Sequence, residues 1–242
     1  METTTATLVG AAGGSGTTRL AVEAATLLAD GGAEVVVLDA AYATQGLGDY
    51  LEGQLAPDVT ELVTDATEAP LSAGLVDLPV DVSGRVACCP AAAPFERIAR
   101  AKTADAARRF GERAAAASES FDAVLVDAPP VAANQAVAAV EAADAVAVVA
   151  PGTARGGDAV QRQRARLTDV GADVDAVVAT RGDLPEADVA VPATAEVVAD
   201  APTVFDDAEF GAGVAAVVEE LFGEDRAVTA ETGLLAAARD RL

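Results

Sequence analysis

Histidine and tryptophan are missing from this chain, and Lys102 is its only lysine. Without an imidazole, a histidine-based catalytic triad and a His-ligated metal centre are both excluded. Aromatics make up 3% of the residues, too few for a platform on which bases stack. Cys88 and Cys89 are the only cysteines. As sequence neighbours they do not form an ordinary disulfide, and two are too few for a zinc centre, so the usage fits a reducing compartment. No stretch approaches the ~20 apolar residues of a membrane span. The opening METTTATLVG has neither basic residues nor a long apolar run, so it does not read as a signal peptide. The expected location is cytoplasmic.

Acidic charge is what the chain has in excess: 39 Asp and Glu against 16 basic residues, a formal charge of −23. A field of that sign repels phosphates, so the surface as a whole does not read as a nucleic-acid platform. Apart from Lys102, every basic residue is an arginine. Excess carboxylates with almost no lysine resemble the proteomes of salt-in halophilic archaea. Carboxylates hold water and cations at high salt, whereas the long lysine stem adds apolar surface. Near 1 M salt the Debye length is ~3 Å, so such a charge repels itself little; in dilute buffer it destabilises the fold. At 242 residues and 52% hydrophobic, the chain can bury a sizeable core as one large α/β domain or two small ones.

Short apolar runs alternate with helical patterns. Ala6–Val9 reads as a strand that enters a Gly-rich turn, and Thr17–Asp30 as a helix stopped by Gly31 and Gly32. Glu34–Asp39 (EVVVLD) lacks polar alternation, as a parallel strand covered on both faces does. Residues 40–57 read as loop, and Asp58 as the cap of a short helix to Thr64. Val86–Cys89 is a predicted strand and Pro94–Ala117 one long helix. Further strands fall at Ala123–Asp127, Ala145–Ala150, Asp175–Thr180 and Val189–Val191, with helices over 134–142 and 155–169 and a stripe from Phe210 to Leu221. This alternation predicts a single doubly wound, mostly parallel α/β sheet with helices on both faces. The expected domain spans 1–222, and 223–242 is a C-terminal tail with one more short helix.

The segment with most chemical content is Gly10-Ala-Ala-Gly13-Gly14-Ser15-Gly16-Thr17-Thr18-Arg19, between a strand and a helix. Glycines there let backbone N–H groups approach an anion, and the helix N-terminus adds a favourable dipole. One reading is a dinucleotide fold, with Gly10, Gly14 and Gly16 in the turn and Asp39 on a ribose. That spacing resembles short-chain dehydrogenases. Their catalytic Tyr with a Lys four residues on has no counterpart, because residue 98, four before Lys102, is Ile.

Read as a phosphate loop, residues 12–19 resemble the deviant Walker A motif K-G-G-x-G-K-T-T of the MinD/ParA family, a P-loop NTPase family of the SIMIBI class. Gly13, Gly14, Gly16 and Thr18 match, while Ala12 and Thr17 replace both lysines. Asp39 lies 22 residues after Thr17, where the family has a strand ending in Asp. Residues 39–51 resemble its switch region, with Ala41 in place of a second Asp. Phe121-Asp-Ala-Val-Leu-Val-Asp127-Ala-Pro-Pro resembles the Walker B strand. Asp144–Pro151 resembles the strand after it, Val177–Arg181 sits where the family has V-x-N-R, and Val191-Pro192 matches a late turn. The resemblance covers roughly residues 5–222.

The resemblance implies an ATP-binding switch or scaffold that positions DNA or a cell-division or envelope complex, with ATP and Mg²⁺ as cofactors and a nucleotide-dependent homodimer as its assembled form. It implies nucleotide binding by Gly13, Gly14, Ser15, Gly16, Thr17, Thr18, Thr180 and Arg181, Mg²⁺ anchoring by Thr18 and Asp127, and handling of the attacking water by Asp39. With both lysines gone, hydrolysis is expected to be weak or absent. Arg19 is the nearest replacement cation, and Lys102 reaches the site only if its helix lies beside it. A pseudo-ATPase interaction module without nucleotide function is the alternative, and a dinucleotide-binding protein a distant one. Two basic patches oppose the global charge: residues 94–113 and residues 155–166, each with a net +3. Arg155, Arg162 and Arg166 fall near one helix face, a candidate stripe for nonspecific DNA or a protein partner. The segment 233–242 lies where MinD proteins carry a membrane-targeting helix, but it lacks aromatics and basic density, so membrane binding is not expected.

Overall fold

The computed structural model describes residues 4–223. Eight strands form one sheet: β1 Thr4–Gly10, β2 Glu34–Asp39, β3 Val76–Asp77, β4 Arg85–Cys89, β5 Ala123–Ala128, β6 Ala145–Pro151, β7 Ala176–Thr180 and β8 Val189–Val191. Their spatial order is β3-β4-β2-β5-β1-β6-β7-β8, parallel except where β3 meets β4. Both edges are short, three residues in β8 and two in β3, which limits strand addition there.

Seven α-helices cover the sheet: α1 Thr17–Asp30, α2 Val59–Thr64, α3 Phe95–Ala101, α4 Ala104–Ser118, α5 Asn134–Glu141, α6 Ala154–Asp169 and α7 Ala208–Phe222. Where a helix joins two parallel strands, the right-handed crossover sets the face it occupies. The step from β1 to β2 runs toward the β3 edge, and α1 joins α7 on one face with Leu20, Leu27, Val214 and Val218 in its core. The steps from β4 to β5, β5 to β6 and β6 to β7 run the other way. Accordingly α4, α5 and α6 pack on the opposite face with Phe110, Ala139 and Leu167. Strand residues alternate between the two cores: Val36 and Leu38 face one, Val35 and Val37 the other. Being covered on both sides explains why EVVVLD carries no polar alternation.

The predicted single helix Pro94–Ala117 is in fact two. Lys102 ends α3, and Thr103 starts α4 in an extended conformation, its hydroxyl capping the N–H of Ala106. Alanine-rich flanks hid that cap. The predicted loop 40–57 contains a 3-10 turn, Gly46–Tyr50. The doubly wound sheet itself is as expected. Apart from Gly223, the predicted tail 223–242 lies outside the described residues, as does the predicted membrane-helix position 233–242.

The chain changes crossing direction around β1, whose neighbours are β5 and β6. In open α/β sheets a ligand crevice forms outside the strand C-termini at such a point. The Gly-rich loop leaves β1 there.

Candidate nucleotide site

Glycine is required at two places in this loop, because Gly14 and Gly16 have φ of 74° and 90°, left-handed values that a Cβ disfavours. Gly10 is confined differently: a Cβ there would lie 3.3 Å from the Thr17 hydroxyl oxygen. Ser15 is buried and staples the turn, its hydroxyl donating to Ala12 O at 2.6 Å and accepting from Ala12 N at 3.1 Å. No side chain caps α1, so its first N–H groups face the opening as anion donors.

Two residues at the end of β7 brace the loop from the side. The Thr180 hydroxyl donates to Ser15 O at 2.7 Å, and the Arg181 guanidinium donates to Gly14 O. Arg181 itself has φ of 56°, held by its N–H on Val191 O at 3.0 Å. The expected binding residues therefore converge, with Thr180 and Arg181 also shaping the loop they were expected to stand beside.

Under the loop, Asp39 and Asp127 are direct partners on adjacent parallel strands, and both are fully buried. The Thr18 hydroxyl donates to Asp127 Oδ2 at 2.5 Å, whereas Asp127 Oδ1 is buried and has no hydrogen-bond partner among the described residues. Asp39 is satisfied: Ala41 N donates to one oxygen at 2.8 Å and Ala91 N to the other at 3.2 Å. Desolvation, then the Asp127 charge, pushes the Asp39 carboxyl up to about 8 against those two hydrogen bonds. Desolvation also raises Asp127, opposed by the Thr18 and Thr17 hydroxyls.

A raised carboxyl makes a stability statement. The folded metal-free protein holds a proton on Asp39 that the unfolded chain releases, so this group's contribution to stability is fully present below the ordinary pKa of 3.8 and is lost as pH rises toward about 8. In EDTA and high salt, thermal melts of wild type should show that decline, and Asp39→Asn should flatten its slope between about pH 5 and 8. Equal slopes would mean that Asp39 is ionised throughout.

Above these carboxylates lies a cavity of about 680 Å³. Its lining includes residues 12–20, Ala41, Gly46, Tyr50, Pro129, Thr180, Arg181, Pro192, Val197 and Phe210. The Gly-rich-loop side is polar backbone. The far wall is apolar, with Val197 61% exposed although large and hydrophobic. Gly46 closes over Thr18, where a Cβ would lie 3.3 Å from the hydroxyl oxygen, a proximity with no signal in the sequence.

Neither expected substitute cation replaces the lysines. Arg19 turns away from the loop: its Nε donates to Glu23 at 2.5 Å, its Nη2 to the Thr203 hydroxyl at 2.6 Å, and its guanidinium lies 5.7 Å from the Phe210 ring centre. Glu23 is fully buried and also accepts from Thr203 N and Val204 N. This clamp fixes the segment carrying the apolar wall. The i,i+4 spacing of Arg19 and Glu23 was its visible signal. Lys102 ends α3, where its carbonyl accepts from Asn134, and it is not part of the cavity lining.

The two basic patches differ. In the first, Arg97 pairs with Asp58 and Glu61, Arg100 with Asp65, Arg108 with Asp105 and Glu112, and Arg109 with Asp105, while Arg113 caps carbonyls of Leu62 and Thr67. In the second, Arg155, Arg162 and Arg166 are exposed on α6 and make no ion pair among the described residues. Cys88 and Cys89 are buried free thiols, and burial pushes both up, away from thiolate chemistry.

No family model and no curated protein matches this chain. Solved structures match along its whole length. The septum site-determining protein MinD complexed with Mg-ADP from Pyrococcus horikoshii is 17% identical, covering 99% of this chain and 100% of that one, with a TM-score of 0.67. A ParA family ATPase from Chlorobium tepidum is 15% identical over 96% and 98%, with a TM-score of 0.69. Cobyrinic acid a,c-diamide synthase from Mycobacterium smegmatis, with bound ADP and magnesium, is 18% identical over 92% and 97%, with a TM-score of 0.67. The fold is the one these nucleotide-associated proteins share.

Proposed function

We propose that this chain is an adenine-nucleotide-binding switch or scaffold of the MinD/ParA type, working with ATP or ADP and Mg²⁺ and turning ATP over slowly or not at all. The observation that carries this is the buried, partnerless Asp127 Oδ1 beside a Thr18 hydroxyl and an uncapped Gly-loop helix. An orphaned buried carboxylate oxygen is expensive unless something completes it. No cluster of three or more acidic or thiol ligands exists among the described residues, so a metal here would draw most of its ligands from water and phosphate. That donor set suits Mg²⁺, which keeps several waters and uses one or two protein oxygens. Bound there, the ion would neutralise phosphate charge.

The protein's own groups divide the remaining work. Gly13, Gly14, Ser15 and Gly16 shape the nest, with the N–H groups of Thr17 and Thr18 as anion donors. Thr180 and Arg181 hold the carbonyls of Ser15 and Gly14 to the side. The apolar wall at Val197, Val198 and Phe210 accepts a base. Asp39 is the carboxyl assigned to the attacking water, but its two oxygens are already satisfied and buried, which supports slow turnover. The same burial argues against the dinucleotide alternative, since a ribose in the cavity does not reach Asp39. The unpaired Arg155, Arg162 and Arg166 are the surface through which nonspecific DNA or an acidic protein would dock, and nucleotide-dependent pairing of two copies would add their arginines together.

Calorimetry near 2 M KCl with Mg²⁺, comparing ATP, ADP, GTP and NAD, tests the reading. Binding of ATP or ADP without NAD is expected. Absence of heat with every nucleotide would favour an interaction module that has lost its ligand.

A further inference from the structure

The charges that face the cavity bear on the length of the phosphate chain it holds. Two cations and two carboxylates line it: Arg19, Arg181, Asp49 and Glu196. Arg19 is committed to the buried Glu23 carboxylate at 2.5 Å and to Thr203. Arg181 is the remaining cation. It is exposed and spends one Nη on Gly14 O, and no other hydrogen bond or ion pair engages its side chain among the described residues. A guanidinium carries five N–H donors in a fixed fork, so donors are left to meet a phosphate oxygen.

The position from which a phosphate loop sends a lysine to the β- and γ-phosphates is occupied by Thr17. Its short side chain lies beside Gly10 and carries no charge to the phosphates. A first and second phosphate are served by the loop N–H groups, the helix dipole and Arg181. Beyond the Mg²⁺ that Thr18 and Asp127 would hold, a third meets no further cationic side chain in the cavity lining, while Asp39 and Asp127 lie buried below and Asp49 and Glu196 line the cavity.

We infer that this cavity binds a nucleoside diphosphate in preference to the triphosphate, and that Arg181 is the residue that recognises the phosphate chain. The inference rests on the nucleotide reading above and narrows it.

The test is calorimetry near 2 M KCl with Mg²⁺, using adenosine, AMP, ADP and ATP on wild type, Arg181→Gln and Arg181→Lys. Wild type should bind ADP about threefold or more tighter than ATP. Arg181→Gln should weaken ADP by about tenfold, the scale of one charge-assisted hydrogen bond, and adenosine by less than about twofold. Arg181→Lys should keep most of the ADP affinity. ATP binding more tightly than ADP overturns the inference and leaves the nucleotide reading standing. So does an equal loss of adenosine and ADP in Arg181→Gln, which would reduce Arg181 to a brace of the loop. Melting curves of the variants identify a folding defect. Should Arg181→Gln not fold, the wild-type order of ADP and ATP and the Arg181→Lys titration decide. A wild type that binds none of the four overturns the nucleotide reading and this inference together.

Discussion

Raising KCl from about 0.2 to about 3 M should raise the melting temperature of this protein by about 10 °C or more, equivalent to roughly 3–5 kcal/mol for a domain of this size. The cause is the charge of −23. Near 0.1 M salt the Debye length is ~10 Å and surface carboxylates repel across several neighbours, whereas near 1 M it is ~3 Å and they do not. Internal pairing does little to offset this. Among the described residues the ion pairs of Arg97, Arg100, Arg108 and Arg109 cluster around α2, α3 and α4, and Arg85 pairs with Glu34 and Asp77, so the few basic residues meet only a minority of the 39 acids. Several of those pairs are exposed, and exposed pairs contribute about 0–1 kcal/mol each. Differential scanning calorimetry across the salt range measures the effect. A flat melting temperature would contradict the reading of the composition. The same screening weakens any phosphate contact of Arg155, Arg162 and Arg166, since such affinity falls with log salt. DNA docking through α6 would then need several copies engaged together.

Thr17→Lys is the second large effect. Thr17 lines the cavity at the first position of α1, so a lysine there places an ammonium in the opening. ATP should bind about tenfold tighter or more, close to 1.4 kcal/mol, within the range of a charge-assisted hydrogen bond. ADP should gain less, because the added charge would serve the phosphate that meets no cationic side chain in wild type. Titration of both nucleotides at matched salt reads the difference. An unchanged ATP affinity would mean that the loop does not present residue 17 to the phosphate chain.

How much of this was legible in the sequence varies by the range of the interaction. Thr17–Asp30 and Glu34–Asp39 match their predicted bounds because Gly16, Gly31 and Gly32 punctuate them and a run of valines fills the strand. The Gly loop, Thr18, Asp39 and Asp127 were identifiable because each sits at a strand end or a helix start. What the sequence could not show depends on distant partners. Arg19 turns from the loop because Glu23 gathers Thr203 and Val204, some 180 residues later. Asp39 is satisfied by Ala91, 52 residues away, so its position signalled a reactive carboxyl where the fold makes a saturated one. β3 is two residues in a stretch rich in Pro, Gly and Asp, too short for any periodicity. The Arg97 network was hidden for the same reason, since a basic run in a helix looks alike whether it faces solvent or Asp58.

In the proposed function a phosphate loop without lysine still holds a nucleotide through its backbone and a metal on Thr18 and Asp127. Magnesium linkage tests it most directly: the ADP dissociation constant near 2 M KCl, with Mg²⁺ and with EDTA, for wild type and Asp127→Asn. Wild type should bind about tenfold tighter with Mg²⁺, and Asp127→Asn should lose most of that difference while binding metal-free ADP nearly as before. Identical Mg²⁺ enhancement in the two proteins, or none in wild type, would contradict the account.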